Sequence, residues 1–146
     1  MLAHVEDAET VCARIEGLDV GRRFDAVVLA SNLINARPEL RTAFLVTCGR
    51  HSDRVVVEGL PLGWLPKEGK TQLGSVSSRL SVDRVEGPVV RGSVEYTSGS
   101  HHWHHSFAMH VLADADELGA ALTEAGLRLD HWLDGPNGRW FVAVPA

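Results

Sequence analysis

The sequence predicts an α/β domain: part of a doubly wound parallel sheet, closed by a C-terminal antiparallel hairpin and carrying an inserted antiparallel meander. Three observations point there. Two short apolar runs, residues 24–31 (FDAVVLAS) and 54–58 (RVVVE), flank a stretch of helical periodicity. Runs without polar alternation are what strands covered on both faces look like. From residue 76 onward the apolar period switches to two, the pattern of antiparallel strands with one face toward water. The chain then ends in a helical pattern and two strand-like runs around Asp134-Gly135-Pro136-Asn137-Gly138, a loop composition suited to a hairpin.

Taken in order, residues 10–15 (TVCARI) are β-branched near both ends and predict a short strand, with Gly17 and Gly21 marking the turn after it. The run 24–31 predicts a buried strand, which Asn32, Asn35 and Pro38 close with loop chemistry. Residues 39–51 place Leu40, Phe44, Leu45 and Cys48 at helical spacing, an amphipathic helix. Residues 54–58 predict the second buried strand. The following segment, 59–74, holds Pro61, Gly63, Trp64, Pro66 and Gly69 and reads as irregular. A meander of three runs is predicted over 75–112, turned at Gly87-Pro88 and at Ser98-Gly99-Ser100. Asp114 stands where a helix N-cap belongs. Asp116 and Glu117 follow in the first turn, where the helix dipole favours acidic groups. Leu118, Ala121 and Leu122 form the apolar stripe, and Gly126 suits the C-terminal cap. Residues 127–133 and 139–144 complete the hairpin, where Trp132 and Trp140 fit cross-strand packing. No internal repeat or linker divides the 146 residues, so one domain is expected over 1–146.

Composition narrows the function. The chain is 45% hydrophobic and 23% charged, with a net charge of −5. An acidic balance with interspersed charges disfavours nucleic acid and anionic membrane surfaces, both of which select positive patches. Cys12 and Cys48 lie in apolar surroundings without metal-ligand spacing and are expected to be buried free thiols of a reducing compartment. No signal-like segment opens the sequence and no run approaches a membrane span. A cytoplasmic protein acting on a small molecule is therefore expected.

The conspicuous cluster is His101-His102-Trp103-His104-His105. In a strand His102, His104 and His110 share one face, while His101, Trp103 and His105 share the other. His102, His104 and His105 are candidate acid–base catalysts. Two imidazoles two residues apart can also share a metal, with Glu95 on the adjacent strand as a third ligand. Asn32 and Asn35 follow the carboxyl end of a parallel strand, where α/β sheets place ligands. They are candidate substrate contacts, against a purely local role in the turn. Glu58 ends the other parallel strand and is a candidate base, or an anchor for an amine. Trp64 and Trp103 are candidate aromatic contacts to substrate.

On these residues the chain resembles class I S-adenosylmethionine-dependent methyltransferases. Residues 24–31 resemble the family's fourth strand and residues 54–60 its fifth strand and exit. Residues 116–127, with 140–144, are similar to the last helix and closing hairpin. The resemblance covers nearly the whole chain, and the order and spacing of the parts carry it. It implies a strand-end crevice as reaction centre, with the meander as a cover over the substrate. That placement favours acid–base use of the histidines over a metal, and no metal is assigned.

The resemblance also implies gaps. No glycine-rich turn of the kind that approaches the cofactor's methionine moiety is found. The acidic residue that holds the ribose would fall before Met1, and residues 1–5 (MLAHV) look like the stretch just after it. Arg14 stands where the family has an aspartate beside the adenine, and Ser52-Asp53 replaces a tight glycine turn. The chain is thus expected to bind no cofactor on its own, and S-adenosylmethionine only if completed by another chain. Three functions follow as expectations: a methyltransferase-like tailoring protein working in a complex; a cofactor-independent enzyme performing proton transfer, elimination or ring closure with a partner subunit; and a non-catalytic pseudoenzyme subunit. In the family the first strand lies beside the fourth, so here residues 24–31 form an open apolar edge. Such an edge invites another chain, and a homo-oligomer or heteromer covering it is expected. Size-exclusion chromatography with light scattering should find an assembly, and a stable soluble monomer contradicts the expectation.

Overall fold

The computed structural model describes residues 8–146, so residues 1–5, likened above to the stretch after a second strand, lie outside the described residues. Among the described residues, eight strands form two separate four-stranded sheets, accompanied by two α-helices. The first sheet has the order β1-β2-β8-β7 and the second the order β3-β4-β5-β6. The fold is a mixed α/β fold of the Rossmann-like kind foreseen from the sequence.

In the first sheet, β1 (Val27–Leu29) runs parallel to β2 (Val55–Glu58). On its other side β2 pairs antiparallel with β8 (Trp140–Pro145), which pairs with β7 (Leu127–Trp132). Helix α1 (Pro38–His51) crosses between the parallel strands. Proline suits its first turn because the missing N–H has no acceptor there. Helix α2 (Ala115–Glu124) precedes the hairpin, and the Asp114 carboxylate accepts from the Asp116 and Glu117 N–H groups as the N-cap reading requires. Gly126 takes a left-handed φ of 74°, which ends the helix at little steric cost. Leu29, Leu45, Val55, Val57, Leu118, Leu122, Phe141 and Ala143 fill the space between sheet and helices, each at most 3% exposed.

Several expectations are corrected. Residues 10–14 form no strand; a short 3₁₀ turn, Ile15–Gly17, follows them. Strand geometry needs a hydrogen-bonded neighbour, and among the described residues none lies beside this exposed segment. The run 24–31 contributes three residues of ladder rather than eight. Phe24 is tied by its N–H to the His51 carbonyl at 2.8 Å instead, and Ser31 and Asn32 turn left-handed, at φ 61° and 55°. Strand β1 is the sheet edge, as foreseen, but it is not covered on both faces: Leu29 is buried while Val28 is 58% exposed. Cys48 is buried, and burial pushes its thiol up to about 11. Cys12 is exposed, against expectation. Trp132 stands opposite Phe141, edge to face at 5.3 Å, whereas Trp140 stands opposite Glu58.

The meander has four strands, not three: β3 (Gly69–Leu73), β4 (Val76–Glu86), β5 (Val89–Ser98) and β6 (His101–His110). Strand β3 falls in a segment read as irregular. All five of its residues are exposed, so no buried face leaves a hydrophobic alternation to read. The Gly74 turn, at φ 58°, folds it onto β4. Gly92 lies directly across from Phe107. A Cβ there would run into the Phe107 ring and the Ser81 carbonyl, so the ring packs against bare backbone.

The two sheets are joined at one polar seam. The Asn35 amide donates to the His110 carbonyl at 3.1 Å and its Oδ1 accepts the Leu60 N–H at 2.8 Å. Arg41, 8% exposed, donates to the Ile34 carbonyl at 2.7 Å and to the same His110 carbonyl at 3.3 Å. Asn35 is 2% exposed, so removing it strands buried backbone groups. Replacing Asn35 by Ala is expected to cost about 1–3 kcal/mol. Urea denaturation should show a lower midpoint at unchanged slope, and an unaltered midpoint would mean the seam carries no weight.

Candidate functional site

The crevice beyond the carboxyl ends of β1 and β2 gathers Ser31, Asn32, Glu58 and Arg139. Glu58 is the last residue of β2 and sits opposite Trp140, which fixes the neighbouring Arg139 beside it. The Gly59 N–H donates to the Arg139 carbonyl at 2.8 Å and continues that pairing. One Glu58 oxygen accepts from Arg139 at 2.9 Å and the other accepts the Ser31 N–H at 2.8 Å. The same Arg139 nitrogen reaches the Asn32 Oδ1 at 3.3 Å. Glu58 is 18% exposed and Arg139 50% exposed, so the carboxylate is the more sheltered member of the pair.

The hairpin loop sets the arginine. Asp134 accepts the N–H groups of Arg139 and Trp140 at 2.8 and 3.0 Å. Those two bonds, Trp140 first, hold its carboxyl below the usual range. The carboxylate thus clamps the loop at the point where the chain enters β8. A side chain at Gly138 would strike that carboxylate. The left-handed pair Ser31-Asn32 is held from the other side by the Glu58 oxygen. Asparagine tolerates this conformation better than most residues, and a serine there is the more constrained of the two.

Chemically, the cluster is equipped to bind and orient. Glu58 already has a partner on each oxygen, while Arg139 retains free N–H donors toward solvent. A guanidinium in that setting presents a fork to a carboxylate, phosphate or polyol. An incoming amine would have to displace Arg139 from Glu58.

The sequence candidates divide by location. Asn32 and Glu58 meet in the crevice. Asn35 lies beneath it, buried, with its side chain committed to the seam. Trp64 lies elsewhere, in a groove of about 330 Å³ with Val85, Pro88, Val90 and Val111. His102, His104 and His105 occupy β6, toward the end of the strand away from the seam at His110. From His104 to His110, where β6 meets the seam, the strand runs roughly 20 Å at about 3.3 Å per residue. All three are exposed. His104 is opposite Glu95 and His102 opposite Thr97, whose hydroxyl is 3.2 Å from the His102 ring. Trp103 stacks on Tyr96 at 5.7 Å, on the face opposite to His102 and His104. Among the described residues no group of three or more His, Cys, Asp or Glu is arranged to hold a metal ion. His110 is the one histidine at the seam; burial first, then Arg41, pushes its imidazole down. Arg139 was missed by sequence reading, and its one signal was its position at the start of the last strand, next to a turn rich in Asp, Asn and Gly.

Neither a protein-family model nor a curated protein sequence matches the chain. Solved structures do. The chain is similar to an amino pentose methyltransferase of calicheamicin biosynthesis from Micromonospora echinaspora, solved with S-adenosylmethionine bound. The TM-score is 0.62 at 18% identity, over 92% of this chain and 63% of that one. It is also similar to the CcbJ methyltransferase from Streptomyces caelestis, with a TM-score of 0.69 at 18% identity, over 93% and 67%. An S-adenosylmethionine-dependent methyltransferase from Clostridium acetobutylicum gives a TM-score of 0.62 at 12% identity, over 92% and 63%. The fold is methyltransferase-like. The chain spans less than two thirds of the length of two of these three neighbours. No helix among the described residues is long and apolar enough to cross a membrane.

The hydrogen-bond pattern at Glu58 generates a direct test. Glu58→Gln keeps the shape but loses the charge that holds Arg139, and one amide N–H then faces a donor. A loss of about 1 kcal/mol is expected, discounted for the exposure of Arg139. The Ser31 amide resonance should shift in the NMR spectrum, and an unmoved resonance would show that Glu58 does not shape the β1 exit.

Proposed function

We propose that this chain is a methyltransferase-like tailoring protein for a small molecule, working within an oligomer or heteromeric complex. The observation that carries the reading is the hydrogen-bonded cluster of Ser31, Asn32, Glu58 and Arg139. It stands beyond the carboxyl ends of two parallel strands, where α/β sheets bind ligands, on a fold shared with small-molecule methyltransferases. In this reading Arg139 and Asn32 contact the substrate, Glu58 orients Arg139, and the meander contributes the cover.

The cofactor is a separate matter. The reading of an incomplete seat rests on the sequence: no glycine-rich turn of the kind that approaches the methionine moiety is found, Arg14 stands where the family has an aspartate beside the adenine, and Ser52-Asp53 replaces a tight glycine turn. In this reading a second polypeptide or second copy along the β1 edge completes the seat. No step through the cofactor is assigned to this chain.

Isothermal calorimetry with S-adenosylmethionine and S-adenosylhomocysteine is expected to show no binding to the isolated chain. Tight binding by the chain alone would overturn the incomplete-seat reading. Single Ala replacements at His102, His104 and His105 are expected to leave any turnover of a reconstituted complex within about an order of magnitude, short of the 10²–10⁴-fold effect of losing a general base. Abolished turnover would transfer the chemistry to the meander and favour cofactor-independent acid–base catalysis.

A further inference from the structure

We propose that the polar face of the β3–β6 sheet is a second binding site, for a compact phosphomonoester that carries hydroxyl groups. Strand register assembles it. Lys70 stands directly opposite Arg79, Arg79 opposite Glu95, and Glu95 opposite His104. Two residues along each strand, Gln72, Ser77, Thr97 and His102 form a second row in the same way. Directly paired residues, and residues two apart on one strand, share a face, so these side chains all project to the same side. Leu80, Val94, Tyr96 and Trp103 project to the other.

Differences in side-chain length make a hollow on this face. Ser77 and Thr97 are short and half-buried on the two central strands, while the longer Lys70, Arg79 and Glu95 stand exposed beside them. Together with Gln72 they line a space of about 450 Å³, within the roughly 300–1,000 Å³ of small-molecule sites. None of Ser31, Asn32, Glu58 and Arg139 lines it. The two sites are therefore distinct, and this inference does not depend on the function proposed above.

Charge decides the ligand. Like charges directly opposite each other on adjacent strands work against the pairing, yet Lys70 and Arg79 are placed so. Arg22, Arg23, Arg84, Arg128 and Arg139 each lie 2.6–3.9 Å from a carboxylate. Lys70 and Arg79 form no such contact among the described residues, although Glu95 faces Arg79. Glu68, two residues before Lys70, has one oxygen committed to the Val82 N–H at 2.8 Å. Two cations thus meet one carboxylate in the hollow, a local surplus of positive charge on a chain of net charge −5. Adjacent cations, one of them a guanidinium fork, match a dianionic phosphate; a carboxylate monoanion leaves one of them unmatched. The Ser77 and Thr97 hydroxyls and the Glu95 carboxylate can exchange hydrogen bonds with hydroxyls on the ligand. A compact anion suits this surface, because a long polyanion would meet the acidic remainder of the chain.

The test titrates the full, isotope-labelled chain with glycerol 3-phosphate, with glycerol and with inorganic phosphate. Saturable amide shifts are expected at Lys70, Ser77, Arg79 and Thr97 with glycerol 3-phosphate, weaker ones with inorganic phosphate, and none with glycerol. Arg79→Gln should weaken glycerol 3-phosphate about ten-fold, the range of one charged hydrogen bond, and Lys70→Gln should weaken it too. Glu95→Gln removes a like charge from beside the phosphate and should tighten binding about three-fold. Arg128→Gln removes one positive charge far along the chain and should leave the affinity unchanged. Amide resonances outside the β3–β6 sheet report that each variant is folded. An absence of saturable shifts at these residues overturns the proposal, as does unchanged or weaker binding in Glu95→Gln. Equal losses in Arg128→Gln and Arg79→Gln would reduce the effect to unspecific attraction and overturn it. Inorganic phosphate binding as tightly as glycerol 3-phosphate would do the same, by leaving an adventitious ion only.

Discussion

Strand β2 is the constraint on which the rest of the structure depends. It is four residues long, yet it takes a parallel partner on one side and an antiparallel partner on the other. Val55 and Val57 are fully buried against the helices, while Val56 and Glu58 keep partial exposure. Its parallel register with β1 requires a crossover, which α1 supplies. Its antiparallel register with β8 brings Arg139 to Glu58. Its position inside the sheet leaves β1 on the outside. The polar cluster at the strand ends and the exposed β1 edge both follow from where this one strand sits.

The seam between the sheets adds a second layer of control. Antiparallel strands β3 to β6 share few apolar contacts with the first sheet, so their attachment rests on directional bonds. The His110 carbonyl accepts from both Asn35 and Arg41. Arg41 is a cation held by carbonyls rather than by a carboxylate, and burial lowers its ordinarily high pKa. A buried cation so placed fixes geometry more than it adds stability. It ties the end of β6 to the same turn that carries Asn32 into the crevice.

Much of the fold was legible because its elements carry their own signals. The Asp114 cap with its Leu118-Ala121-Leu122 stripe and the terminal hairpin combine periodicity with local capping or turn chemistry; the helix at Pro38–His51 starts at a proline but is only weakly amphipathic, its buried face including Arg41, Thr47 and His51. The polar strand Gly69–Leu73 was illegible because neither of its faces is buried, so it has no apolar period. Residues 10–15 misled because β-branched residues describe a preference that only a neighbouring strand can realise. In the site, Asn32 and Glu58 were legible as strand-end residues. The histidines of β6 drew attention by number, and the structure sets His102, His104 and His105 exposed on the strand, toward the end away from the seam.

The sequence by itself determined the class of fold and the succession of its main helices and buried strands, because these depend on local patterns along the chain. The tertiary structure alone decided that Glu58 pairs with Arg139 and that Asn35 is a buried joint rather than a surface contact. Each of these joins groups brought together by packing. Eighty-one residues separate Glu58 from Arg139 and seventy-five separate Asn35 from His110. No period or motif encodes a contact of that separation. Register across β2 and β8, and the seating of α1 on the sheet, create it.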